Sequence, residues 1–369
     1  MMAVSAWTSG SVTPPEPQVA GNEGYRQLWR GNTSAAVACF ETALRSDSAF
    51  PWRWSDLGEA FVAENQMDSA RYCFRRAIAL APRDPQIALR AANFSFMTGD
   101  VAQALRLDAA VLLRVPDYDG MIFSSYLRMG GDLQRELESG IGANPRAGGE
   151  FYRFLAARND ADADEAWRWL EGRGFVTRSL AMARTSWLLA RNRAEEASAV
   201  WPRHVSDAGQ PNRIFNAGFE DRWTGEGFDW RVERCAGVET DADDHMAHSG
   251  HRSLRVRFEA ADNTDFHHVY QNVWLAAGGY RFGAWIRTAD LSTDQGVALR
   301  IGSVSTQALT GSNDWTWVSA RLEIGTSALV RVELVRRPSA MFNARQRGTA
   351  WIDDVELTPR SKEAEAGLR

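Results

Sequence analysis

The sequence predicts a multidomain α plus β chain: an N-terminal α-helical solenoid followed by a C-terminal antiparallel β-sandwich. Three observations predict it. Small and aromatic residues recur at 34-residue intervals in the first half. After "VSDAGQPNR", residues 205–213, the apolar period changes from 3.6 to 2. Two motifs, "NAGFE" at Asn216 to Glu220 and "WIDDVEL" at Trp351 to Leu357, bracket the second half as its opening and closing strands. The expected division is a flexible leader over 1–20, helical repeats over 21–204, a linker over 205–213, the sandwich over 214–359 and a flexible tail over 360–369. Within the repeats, 21–118 is regular and 119–204 is degenerate.

Taking the elements in order, Pro51 to Asp84 carries Trp54, Leu57, Gly58, Phe61, Ala70, Phe74, Ala77 and Pro82 at the spacing of one helix–turn–helix unit. Ala36, Phe40 and Ala43 precede Ala70, Phe74 and Ala77 by 34 residues (70 − 36), and Ala104 and Pro116 follow Ala70 and Pro82 by the same interval. A small residue at Ala70 and at Gly58 lets two helices approach closely, and Phe74 fills the space between them. Turns are expected at Gly31-Asn32, Asn65-Gln66 and Gly99-Asp100. Asp108 stands where the other units have Phe, which predicts a degenerate third unit or a partly exposed helix. These positions resemble the tetratricopeptide repeat (TPR), and the resemblance implies a groove that takes a protein or peptide partner.

Trp29, Trp52, Trp54, Trp167, Trp169, Trp187 and Trp201 read as core and inter-repeat packing, because aromatic residues at helical spacing face inward. Cys39 and Cys73 are one repeat apart and read as small buried residues at equivalent positions, and with Cys235 they are too few for a disulfide scaffold. Beyond Pro116 the pattern decays. Residues 150–175 and 179–205 still read as helix, polar turn, helix, with Ala166 and Ala197 in the small-residue role, and predict divergent closing units.

In the second half Val269–Leu275, Tyr280–Arg287, Val297–Ile301, Trp315–Ile324 and Leu329–Val335 alternate apolar with polar between Gly, Asp, Asn and Ser turns. Together with "NAGFE", "HSGHRSLRVRF" at His248 to Phe258 and "GTAWIDDVEL" at Gly348 to Leu357, their order is similar to that of carbohydrate-binding modules of the CenC type (families 4, 9 and 22), which are galactose-binding-like jelly rolls. The resemblance implies polysaccharide binding and a structural calcium where the first and last strands meet. Its ligands would be Glu220 with Asp353 or Asp354, since hard carboxylate oxygens suit Ca²⁺. Alternation puts Asp353 on the face of Val355 and Leu357, inward.

A sugar needs aromatic rings flanked by polar side chains. The candidates are Trp223, Trp230, Tyr270, Trp274 and Trp285. Tyr270 and Trp274 share a face with His268 and Asn272, opposite a core face of Val269, Gln271, Val273 and Leu275; Trp285 is flanked by Arg281 and Arg287.

The 369 residues are 44% hydrophobic and 24% charged with a net charge of −5, which fits globular domains and excludes a sequence-independent grip on nucleic acid. No stretch has the roughly 18 apolar residues of a membrane span, and the given start lacks the basic and apolar regions of an export signal. No GxSxG, Walker A or CxxC motif occurs, and adjacent carboxylates such as Asp353 and Asp354 point to opposite faces of a strand, so they cannot flank one glycosidic bond. His245, His248 and His251 at three-residue spacing raise a metal-dependent hydrolase as a minor alternative. The expected function is non-enzymatic: a scaffold whose repeats dock a protein and whose sandwich binds polysaccharide, suited to bacterial exopolysaccharide or envelope processes. The alternative is a pure interaction scaffold with a structural sandwich. A sugar module points outside the cytoplasm, and the given start points inside it.

Overall fold

The structure is a computed structural model that describes residues 16–128, 132–206, 212–259, 263–342 and 344–360. Most of the expected leader and nearly all of the expected tail lie outside the described residues. The chain divides into two compact units, Met1–Phe175 and Val176–Arg369.

The first unit is helical. Its regular part consists of α1 (Glu16–Trp29), α2 (Thr33–Ser46), α3 (Pro51–Ala63), α4 (Met67–Leu80), α5 (Pro85–Met97) and α6 (Val101–Leu112). They pack as three antiparallel pairs with the TPR register. Each pair turns on a left-handed residue, Gly31, Asn65 and Gly99 at φ 77°, 61° and 80°, spaced 34 residues apart (65 − 31 and 99 − 65). Ala36, Ala70 and Ala104 are fully buried, and a Cβ on Gly58 would come within 3.1 Å of the Phe74 ring, so close helix approach is what these small residues provide. Pro51 and Pro85 open α3 and α5, and the Asp84 carboxylate caps α5 by accepting from the N–H groups of Gln86 and Ile87 at 3.0 and 3.1 Å.

Asp108 is buried, so the third pair keeps its closed packing despite the lost Phe. After it come α7 (Asp119–Arg128), α8 (Leu133–Arg135) running into a π-helical turn at Glu136–Ile141, α9 (Pro145–Ala157) and α10 (Ala163–Arg173). Trp167 and Trp169 are buried as expected and Trp52 and Trp54 half-buried, but Trp29 is 95% exposed at the end of α1 and belongs to no core. Cys73 is buried, which pushes its thiol up to about 12, while Cys39 and Cys235 are half-buried; all three are free.

The second unit begins with α11 (Arg178–Leu189) and α12 (Ala194–His204), which the sequence groups with the repeats. The structure packs them with the sandwich. Trp201 sets its edge against Phe215 and Phe228 with ring centres at 5.1 and 5.6 Å, and the Gly227 N–H donates to Ser186 Oγ at 2.7 Å. Ala197 is fully buried in the small-residue role.

Ten strands follow among the described residues: β1 (Arg231–Val232), β2 (Val238–Asp243), β3 (Ser253–Glu259), β4 (Phe266–Leu275), β5 (Gly278–Leu291), β6 (Ala298–Ile301), β7 (Val304–Ser305), β8 (Gly311–Ile324), β9 (Ala328–Arg336) and β10 (Arg347–Pro359). They form two antiparallel five-stranded sheets, β1-β4-β9-β6-β7 and β2-β3-β10-β5-β8. Phe219, Trp230, Val256, Phe266, Phe282, Leu334 and Ile352 belong to one core between them. "WIDDVEL" lies in β10, but "NAGFE" is not a strand. Asn216 and Phe219 have φ of 50° and 56°, so the segment curls as a turn, tied to β10 by the Val355 N–H to the Ala217 carbonyl at 3.0 Å.

Candidate functional site

The ends of the sandwich do meet around the loop His248–Arg252. Asp353 is fully buried, and one of its oxygens accepts from the N–H groups of His248 and Ser249 at 2.7 and 3.1 Å. Asp354 accepts from the Ser249 hydroxyl at 2.8 Å and bonds His248 Nδ1 at 2.7 Å. Glu220 accepts from the N–H groups of His251 and Arg252 at 2.8 and 3.2 Å. Burial pushes the Asp353 carboxyl up, against the opposing pull of the His248 and Ser249 N–H bonds.

Asp353 does not face the core. A bulge between Asp353 and Glu356, with Asp354 at φ 46°, resets the alternation, so Asp353 pairs with Trp285 on the outer side of the sheet while Val355 and Leu357 stay inside. The expected calcium ligands thus converge, and one oxygen of each of Asp353 and Glu220 is taken by two N–H groups of the loop. Among the described residues no group of three or more His, Cys, Asp and Glu is arranged to hold a metal. This donor set forms a hydrogen-bonded clasp between the entry turn, the His248–Arg252 loop and β10. The histidines disperse in the same way: His248 goes to Asp354, while the backbones of His245 and His251 bind Asp243 and Glu220.

The aromatic candidates separate onto different surfaces. Trp230 is a correction: it is 1% exposed, packs on Phe219 and donates its indole N–H to the Asn216 carbonyl at 3.1 Å, so it holds the entry turn. Trp223 is half-buried against the same core. Tyr270 and Trp274 lie on the outer face of β4 as the alternation predicts, with Val269, Gln271, Val273 and Leu275 buried behind them. Tyr270, however, is buried; its hydroxyl donates to Glu233 at 2.7 Å and the Arg331 guanidinium sits 3.9 Å over its ring. Trp274 lines a cleft with Trp201 and Phe215, beneath α12.

Trp285 is different. It lies half-buried on the outer face of β5 with Arg281 and Arg287, as the sequence predicts, and the His248 ring stacks on it at 4.1 Å. Across the strand pair it faces Trp317, with ring centres 5.9 Å apart, and Trp315 meets the edge of His248 at 5.7 Å. Trp317, which sequence reasoning does not single out, is held by a glycine. A Cβ at Gly283 would come within 2.7 Å of Trp317 Cζ2, so the indole lies across the bare backbone of β5 and turns its other side outward. Trp285, Trp315 and Trp317 are all half-buried, and Ser319, Arg281 and Arg287 flank them. The set offers indole surface bordered by hydrogen-bond donors, with the His248 ring oriented by Asp354.

In the helical unit the first helices of the three pairs are joined by Tyr25, Asp56 and Arg90. Both Tyr25 and Arg90 donate to Asp56 Oδ1, the latter at 2.9 Å, and Arg90 also pairs with Glu59 at 3.0 Å. Burial and the Asp56 bond push the Tyr25 hydroxyl up to about 12. The cations of this surface are therefore already matched by carboxylates.

No protein-family model matches the chain, and no curated protein sequence matches it. Among solved structures, the chain is similar to the carbohydrate-binding module TmCBM61 in complex with β-1,4-galactotriose, at 21% identity over 41% of this chain and 100% of that one (TM-score 0.30). It is similar to the CBM22-1 xylan-binding domain of Paenibacillus barcinonensis Xyn10C, at 12% identity over 39% and 91% (TM-score 0.27). It is also similar to the first TPR of Spaghetti (RPAP3) bound to an HSP90 peptide, at 18% identity over 29% and 86% (TM-score 0.27). Among the described residues no helix is long and apolar enough to cross a membrane.

Proposed function

We propose that this chain is a non-enzymatic binding protein whose sandwich takes a polysaccharide on the outer face of the β5–β8 pair and whose helical array docks a protein partner. The observation that carries the reading is Trp317 lying across Gly283 beside Trp285. The CH-rich face of a pyranose stacks on an indole, and flanking donors take its hydroxyls. His248 suits this role, because a proton shared with Asp354 at Nδ1 leaves Nε2 to accept from a hydroxyl. The α1–α3–α5 surface, with its cations matched, suits a partner segment of mixed charge over an acidic tail.

The test is affinity electrophoresis of the full chain through gels holding a panel of polysaccharides. Retardation by at least one is expected, and Trp317→Ala should weaken it by about ten-fold or more. Absence of retardation by every polysaccharide rejects the reading. A second reading, a sandwich that serves only as scaffold, is favoured by Trp274, which is half-buried in the cleft beneath α12. It predicts that Trp317→Ala changes protein capture and no glycan retention.

A further inference from the structure

Resting on that reading, we infer that the glycan bound by the β5–β8 face is anionic, its carboxylate or sulfate group seated between Arg281 and Arg321. The register places Arg281 directly opposite Arg321, Gly283 opposite Ser319 and Trp285 opposite Trp317, so the arginine pair and the tryptophan pair share one face. Like charges directly opposite on neighbouring strands destabilise a sheet, and nothing in the core requires this pair.

The charges around it are otherwise matched. On the same sheet Arg255 pairs with Asp241 at 2.6 Å and Arg257 with Glu239 at 2.7 Å, and Arg287 pairs with Asp314. Glu323, two residues beyond Arg321 on β8, is held by Arg360 at 3.0 Å. Among the described residues Arg281 has only Glu356, at 3.6 Å, and both partners are about half exposed. Arg321 is exposed and makes no ion pair among the described residues. Of the two arginines opposite one another, Arg281 alone has a carboxylate within reach among the described residues, and it is loosely held. The remaining positive charge stands about 13 Å along the strand from the tryptophans, the reach of a short oligosaccharide.

Guanidinium presents parallel N–H donors that match the two oxygens of a carboxylate or the oxygens of a sulfate ester. A sugar stacked on Trp317 would therefore direct the chain's acidic groups towards Arg281 and Arg321. A neutral glycan would stack equally well and leave the arginines facing one another.

The test uses the full chain and matched pairs of soluble polymers: cello-oligosaccharide against its 6-carboxy form, and a neutral galactan against its sulfated form. Polygalacturonate serves as a third acidic probe. Titration calorimetry should show acidic members bound about ten-fold or more tightly than neutral ones, the worth of one charged hydrogen-bonded contact. The advantage should shrink as salt rises. Arg321→Gln, checked for an unchanged melting temperature, should bring acidic polymers down to the affinity of neutral ones. A preference for only the carboxylated or only the sulfated member identifies the acid and supports the inference. Equal binding of neutral and acidic members, or a preference that survives both Arg321→Gln and Arg281→Gln, overturns it while leaving the glycan reading intact. If no polymer binds, neutral or acidic, both fall together.

Discussion

In the helical unit Asp108 and Glu136 are buried, and among the described residues neither carboxylate receives a hydrogen bond. In the sandwich Asp353 is also buried, yet it meets the N–H groups of His248, Ser249 and Asp354. The two settings respond differently to charge. Burial pushes Asp108 up to about 7, and burial with the neighbouring charges of Asp162 and Asp132 pushes Glu136 up to about 7. Near them the Tyr126 hydroxyl is buried and has no hydrogen-bond partner among the described residues, its own ionisation also pushed up. An unpaired buried carboxylate costs stability whenever it ionises, whereas a carboxylate met by N–H groups stabilises the loop that supplies them. The helical unit thus carries a pH-dependent weak point, and the sandwich carries a clasp.

The largest expected effect breaks the weak point. Both carboxyls have folded pKa values above their unfolded ones, so the native unit binds more protons. Their contribution to its stability is greatest below about pH 4 and declines until pH passes about 7, where ionisation is complete in both states. Asp108→Asn should remove up to about 4 kcal/mol of this cost at pH 8 and little at pH 4. Urea unfolding followed by far-UV circular dichroism across that range measures it. A constant difference between the variant and the parent chain would show that Asp108 titrates in the fold as it does in the unfolded chain.

The next effect opens the clasp. Asp353→Ala leaves the His248 and Ser249 N–H groups without their acceptor and should cost the sandwich about 3 kcal/mol, read as a lower melting temperature of its tryptophan fluorescence. Because His248 stacks on Trp285, the same change should perturb the emission of the Trp285 and Trp317 pair before unfolding. A variant with parental stability would mean that the loop holds itself.

The contrast also explains what could be read in advance. The repeats were legible because each Ala that admits a neighbouring helix, Ala36, Ala70 and Ala104, recurs with the pitch of the stack. The strands were legible because one face of each is core, and β4 shows it: Val269, Gln271, Val273 and Leu275 are buried in alternation. Even the polar member obeys, since Gln271 bonds both the N–H and the carbonyl of Phe215 at 2.9 Å. Alternation fails where register slips. The Asp353–Glu356 bulge moves Asp353 to the outer face, and only the Asp354 type, tolerant of left-handed φ, hints at it. Trp317 escaped for a related reason: its significance rests on Gly283, and nothing in a single chain says which glycine stands beside which tryptophan until the strands are paired. Of the five candidate rings, Trp285 alone belongs to the Trp317 cluster, because partners distant in sequence cover or bury the others.

The smallest expected effect concerns the metal that the resemblance places at the clasp. The resemblance to sugar modules implies Ca²⁺ at Glu220 and Asp353, whereas the bonds from His248, Ser249, His251 and Arg252 already supply positive dipoles to those oxygens. A cation entering here would have to displace N–H groups fixed in the loop backbone, and its binding to the native state alone would raise the melting temperature by mass action. Adding millimolar calcium, or removing it with a chelator, should therefore leave the sandwich's melting temperature within about 1 °C. A calcium-dependent rise of several degrees, abolished in Glu220→Gln, would mean that the loop turns its carbonyls inward when metal is bound. It would also make the clasp an ion site like the one the resemblance implies, and the contrast with the helical unit would then be between an unpaired carboxylate and a metal-paired one.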